Sequence, residues 1–125
     1  MHLFVDADAM PVPAKEVIFK LAKRLQIHTT LVANQGMYTP KGDLVKMQVV
    51  EAGPDQADDW IVESCRTDDV VITADIPLAD RVVTKGALAI TPRGDLLNSQ
   101  NIKQRLATRD LLDQLRSSGE ITGGP

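Results

Sequence analysis

The sequence predicts an α/β fold: a mainly parallel five-stranded sheet flanked by helices. Three observations carry that reading. Short apolar, β-branched runs alternate along the chain with stretches whose apolar residues recur at helical spacing. The runs at Leu3–Val5 and Val70–Ile72 are apolar throughout, as suits strands buried on both faces rather than one. Acidic residues follow directly after those runs, and in open parallel sheets ligands bind just beyond the carboxyl ends of the strands.

Taken in order, the first strand runs into Asp6-Ala7-Asp8 and then into proline-broken chain, Met10-Pro11-Val12-Pro13. Pro13 suits the first turn of a helix. Val17, Ile18, Leu21, Ala22 and Leu25 then form an apolar stripe, with Lys15, Glu16, Lys20, Lys23 and Arg24 opposite. Phe19 falls off that stripe and reads either as an exposed side chain or as a contact in a homo-oligomer. Ile27 to Val32 is a second strand ending in Ala33-Asn34, and Gln35 to Asp43 has no period and reads as a loop. Leu44 to Val50 is a third strand, reached by a connection short for a helical crossover. Gly53-Pro54-Asp55 opens a helix to about Arg66, with Ala57, Trp60, Ile61 and Cys65 on its apolar side. Val70 to Thr73 is the fourth strand. A helix from Pro77 follows, closed by Gly86, and Ala87 to Ile90 is the fifth strand. After a turn at Pro92–Asp95, Ile102 and Leu106 lie out of phase with Leu111, Leu112 and Leu115. Two helical pieces are therefore expected, broken near Thr108 and ended by Gly119. Residues 1–121 read as one domain and 122–125 as a linker or truncated edge.

Composition narrows the function. With one Trp, one Tyr and two Phe, the chain has no aromatic platform of the kind that stacks successive bases. A net charge of −3 removes any global attraction to nucleic acid, so contacts of that kind must be local. No segment has the length or apolarity of a membrane span or the layout of a leader, so a cytoplasmic location without membrane attachment is expected. The single cysteine, Cys65, cannot form an internal disulfide and reads as a core residue. His2 and His28 fall at strand beginnings, away from the acids.

The acids are the candidates for chemistry. Asp6, Asp8 and Asp75 follow strand ends, and Asp58 lies at the edge of a helix's apolar stripe, whereas Asp59 faces solvent. Two readings are open for Asp6, Asp8 and Asp75: they satisfy turn and helix-cap N–H groups, or they gather round a cation that offsets their repulsion. Carboxylates without His or Cys partners suit Mg²⁺ or Mn²⁺. Since Mg²⁺ takes phosphate oxygens readily, phosphodiester or phosphoryl chemistry is indicated. Asn34 and Thr73 at neighbouring strand ends, and Arg93 in the last turn, are the candidates for binding substrate, with ordinary turn hydrogen bonding as their alternative.

Several blocks resemble a known family: Val5-Asp6-Ala7-Asp8-Ala9, Leu31-Val32-Ala33-Asn34-Gln35, Ala57-Asp58, Val71 to Ala79, Pro92-Arg93-Gly94, Arg109-Asp110 and Thr122-Gly123-Gly124-Pro125. Over nearly the whole chain they are similar to the uncharacterised YaiI/YqxD proteins, grouped with PIN-like and NYN-like nucleases. The resemblance implies a PIN-like three-layer architecture and a metal-dependent hydrolase acting on RNA or another phosphate-containing substrate. Its metal-binding acids map onto Asp6, Asp58 and Asp75, with Asp8 secondary. Met10 stands where the family usually has cysteine, and the basic helical tail usual in the family beyond Gly-Gly-Pro is not present in this sequence. The alternatives are a non-catalytic module, binding nucleic acid or protein, that keeps a vestigial acidic site, and a haloacid-dehalogenase-like phosphatase. The second is opposed by the order of its motifs, because Asp58-Asp59 precedes Thr73.

Overall fold

The computed structural model describes residues 1–8 and 10–117. Among them the order is β1 (Leu3–Asp6), α1 (Val12–Leu25), β2 (Thr29–Ala33), β3 (Val45–Val49), α2 (Gln56–Ser64), β4 (Val70–Ile72), α3 (Ile76–Lys85), β5 (Leu88–Ile90), β6 (Leu96–Leu97) and α4 (Asn101–Ser117). The expected end of the last helix at Gly119 and the segment 122–125 lie outside the described residues, as does Ala9.

The strands form one sheet in the order β3-β2-β1-β4-β5-β6. β1 is central, pairing in parallel with β2 and β4, so Asp6 sits at the middle of the carboxyl rim. β3 pairs in parallel with β2, which settles the pairing of the strand reached by the short connection. Residues 34–44 make that crossover without a helix.

Alternation along the strands separates two cores. Phe4, Val32 and Val71 pack with Ile61 of α2, Leu78, Ala79 and Val82 of α3 and Ile102 of α4. Val5 and Leu31 pack with Ile18 and Ala22 of α1 and with Met10. Because neighbouring strand residues point to opposite faces, the uniformly apolar runs are explained: both faces are covered.

Two expectations are corrected. The sheet has six strands, not five, because the turn after β5 returns as β6 in an antiparallel hairpin. The Thr91 N–H donates to the Asp95 carbonyl at 2.9 Å, and Gly94 takes a φ of +95° that side chains disfavour. Two residues are too few for a periodic signal. The final helix is also continuous through Thr108. Its change of apolar phase is not a break: Ile102 is buried, whereas Leu111 is 60% and Leu112 37% exposed. The second half carries Leu111 and Leu112 on its exposed side. No Gly or Pro interrupts the helix, so nothing in the backbone forces a stop.

A carboxylate-rimmed candidate site

At the carboxyl rim the chain leaves β1 at Asp6 and β4 just before Thr73. Thr73 is fully buried and ties the two strand ends together. Its hydroxyl donates to Asp6 Oδ2 at 2.7 Å and accepts from the Asp75 backbone N–H at 2.9 Å. That commitment leaves Thr73 orienting Asp6 rather than reaching a substrate. Asp75 is the N-cap of α3, its Oδ1 accepting from the Leu78 N–H at 3.0 Å, with Pro77 pre-set in the first turn. Asp8 spends both oxygens on one donor, the Asn34 backbone N–H, at 3.1 and 3.0 Å. This clamps the ends of β1 and β2 together, and the Asn34 side chain stays exposed.

Asp58, in the first turn of α2, accepts no hydrogen bond among the described residues. Its carboxyl pKa is pushed up to about 6, first by desolvation and then by the charges of Asp75, Asp6 and Asp55, with Arg81 opposing. Asp6 is raised too: burial is the main cause, the Asp75 and Asp8 charges add to it, and the Thr73 hydrogen bond works against it. Asp59 points away and pairs with Arg81 at 2.9 Å, both side chains being half exposed. The division between Asp58 and Asp59 thus follows the 100° step between helix neighbours.

Asp6 and Asp75 share a cavity of about 280 Å³ with Met10, Ala74 and Pro92. Beside it lies a second depression that includes Arg93 and Arg105 and shares Ala74 and Pro92 with the first. Arg105 was not singled out from the sequence. It comes from α4, remote in the chain, and only the packing of that helix on α3 brings it to the rim. Asp8, Asn34 and Asp58 line neither space.

The donor set is all oxygen, carboxylates with a hydroxyl, and so suits a hard divalent cation in kind. As the side chains stand, no three His, Cys, Asp or Glu residues among those described are arranged to hold one ion. Mg²⁺ is commonly held by one or two carboxylates with its waters retained, and the paired Asp6 and Asp75 fit that mode. At the other residues with shifted pKa values the cause is burial of a different sort. Cys65 is fully buried and its thiol is raised by desolvation, as expected of a core residue.

The fold and rim together define an α/β protein with a carboxylate cluster at the strand ends of a mostly parallel sheet. Within that class the chain belongs to the YaiI/YqxD family: the family model described as "Uncharacterized BCR, YaiI/YqxD family" matches residues 4–125. A UPF0178 protein from Idiomarina loihiensis is 52% identical over 125 residues, covering 100% of this chain and 85% of the relative. Another from a Marinomonas species is 54% identical over the same length, covering 84% of the relative. A third, from Saccharophagus degradans, is 51% identical and covered to 83%. No solved structure matches the chain. No helix among the described residues is long and apolar enough to cross a membrane.

Proposed function

We propose that this protein is a Mg²⁺- or Mn²⁺-dependent nuclease with a PIN-like active site, cleaving phosphodiester bonds in RNA at the carboxyl rim. One observation carries the reading: beside their burial, Asp6 and Asp58, from separate elements, both feel the charge of Asp75, and Asp58 feels that of Asp6 as well. Structural acids are ordinarily matched with donors or cations, and crowded unmatched carboxylates are a mark of functional sites.

In this mechanism Asp6 and Asp75 would hold the ion, with Asp58 as the third acid of the rim. A bound divalent ion would supply polarisation of the phosphodiester and a lowered pKa for a coordinated water. Thr73 fixes the rotamer of Asp6. Asp8 keeps the ends of β1 and β2 in register through the Asn34 N–H. Arg93 offers the positive charge that an anionic backbone needs on approaching an acidic rim.

The competing reading is a non-catalytic binding module, favoured by the fact that Asp8 and Asp75 each satisfy backbone N–H groups. Incubation of purified protein with single-stranded RNA separates the two. The nuclease reading expects cleavage with Mn²⁺ and none in EDTA, abolished by Asp6→Asn, while Arg93→Ala mainly weakens binding. Protein that cleaves neither RNA nor DNA with either ion returns the site to the binding module.

A further inference from the structure

We propose a second site, at the far end of α1 from the carboxylate rim, that binds a nucleotide unit through its base and its phosphate. It is a cavity of about 460 Å³, within the range of small-molecule sites. Phe19, Lys20 and Lys23 come from α1, and Tyr38, Pro40 and Lys41 from the crossover loop of residues 34–44. Val45 also borders it, and Val45 pairs with Thr29 at the amino end of β2. The site therefore lies about one strand length, roughly 16 Å, from the acids.

Its chemistry differs from the rest of the surface. In a chain of net charge −3, three lysines meet here and no carboxylate lines the cavity. Among the described residues, none of the three ammonium groups has an ion-pair or hydrogen-bond partner. The arginines of α4, by contrast, are each set against an aspartate. Lys20 and Lys23, three apart on a helix, share a face, and Lys41 approaches from the loop opposite.

The aromatic component is held in place. Met37 packs into the α1-side core, and its Sδ accepts from Lys15 Nζ at 3.3 Å, which pins the loop to the helix. Phe19 then meets Tyr38 edge to face, with ring centroids 6.2 Å apart. Tyr38 nevertheless stays 77% exposed. A large ring set against Phe19, mostly uncovered and sharing its cavity with three lysines, suits a ligand that is both flat and anionic. A nucleotide has those properties: its base can stack on the ring, and its phosphate can meet the lysines, at little ordering cost. The unit can come from a free nucleotide or from a single strand.

The chain has one tyrosine, so its ring protons report on this site alone. Wild-type protein in EDTA is titrated with AMP and with penta-adenylate and followed by proton NMR. The proposal expects a saturable upfield shift of the Tyr38 resonances. It expects binding, followed in these variants through the adenine protons of the ligand, about tenfold weaker in Tyr38→Ala and retained in Tyr38→Phe. For the pentamer, Lys20→Ala with Lys41→Ala should reduce the salt slope by about 1.4. Equal affinities for the two ligands identify a free-nucleotide site, and much tighter binding of the pentamer identifies a strand site; either supports the proposal. An unmoved Tyr38 ring, unchanged affinity in Tyr38→Ala, or complete displacement of bound AMP by equimolar inorganic phosphate overturns it. Because the titration contains no metal and Tyr38 is remote from Asp6, its outcome is independent of whether the rim cleaves RNA.

Discussion

The two ends of the sheet treat buried charge in opposite ways. At the amino end Asp69 is nearly buried and accepts from the backbone N–H groups of His2 at 2.9 Å and Arg66 at 2.8 Å. The ring of His2 shares a hydrogen bond with the Thr30 hydroxyl and stacks tilted on Phe4. Burial lowers its pKa, and the Asp69 charge opposes that. At the carboxyl end Asp6 has a single hydroxyl donor, Asp58 has none, and both are raised, first by burial and then by neighbouring acids. A buried acid alone therefore marks nothing. What distinguishes the rim is that its charges face each other, a state that costs free energy until a proton or a cation neutralises it.

The largest effect should come from removing the matched acid. Asp69→Ala leaves two donors unsatisfied and is expected to lose about 3 kcal/mol in urea unfolding. If it costs no more than Asp58→Asn, the contrast between the two ends fails. Next, Mn²⁺ at a hundred times its dissociation constant should stabilise the protein by about 2.7 kcal/mol, read as a rise of several degrees in melting temperature. Asp6→Asn should remove most of that rise, and a rise that survives it would place the ion elsewhere.

A smaller difference separates capping from crowding at Asp75. In EDTA, Asp75→Ala should lose about 1 kcal/mol with its helix cap, whereas Asp75→Asn keeps the cap and relieves the repulsion. The Asn variant is expected to be at least as stable as wild type. A loss equal to that of Ala would leave the repulsion without weight.

The smallest effect is the pH dependence. With a folded pKa of about 6 against an ordinary 3.8, Asp58 binds its proton more tightly when folded. In metal-free buffer its unfavourable contribution is absent below pH 4, grows as pH rises through 6 and is then complete. Wild-type melting temperature should thus gain on Asp58→Asn as pH falls from 7.5 to 5. Parallel curves for the two proteins would remove Asp58 from the crowded set.

How much of this was legible beforehand follows from the range of each interaction. The parallel strands and their order of appearance are written locally, in runs such as Val70–Ile72 that are apolar on both faces. The separation of Asp58 from Asp59 is also local, because helix geometry alone turns one towards the core and the other to Arg81. Contacts between strand ends are not. Nothing in the order of residues announces that Asp8 would grip the Asn34 N–H, or that the Thr73 hydroxyl would join Asp6 to Asp75, since each depends on sheet register. β6 is too short for a pattern, and the phase change in α4 suggests a break only if every leucine is assumed to be buried. Arg105 reaches the rim through helix packing, which carries no local signature.

The central position of β1 has a kinetic consequence. Leu3 pairs with Val70, 67 residues later, so during synthesis at about 5–20 residues per second the first strand waits roughly 3 to 13 s for its second partner. In that interval β1, α1 and β2 can assemble on one side, with Asp6 open to water and Asp75 not yet beside it. Thr73 and Asp75 arrive with β4, the segment that gives β1 its second neighbour. The step that gives β1 its second neighbour is therefore also the step that buries Asp6 and brings the Asp75 carboxylate against it, so on the proposed reading divalent ions should speed that step more than the pairing of β1 with β2.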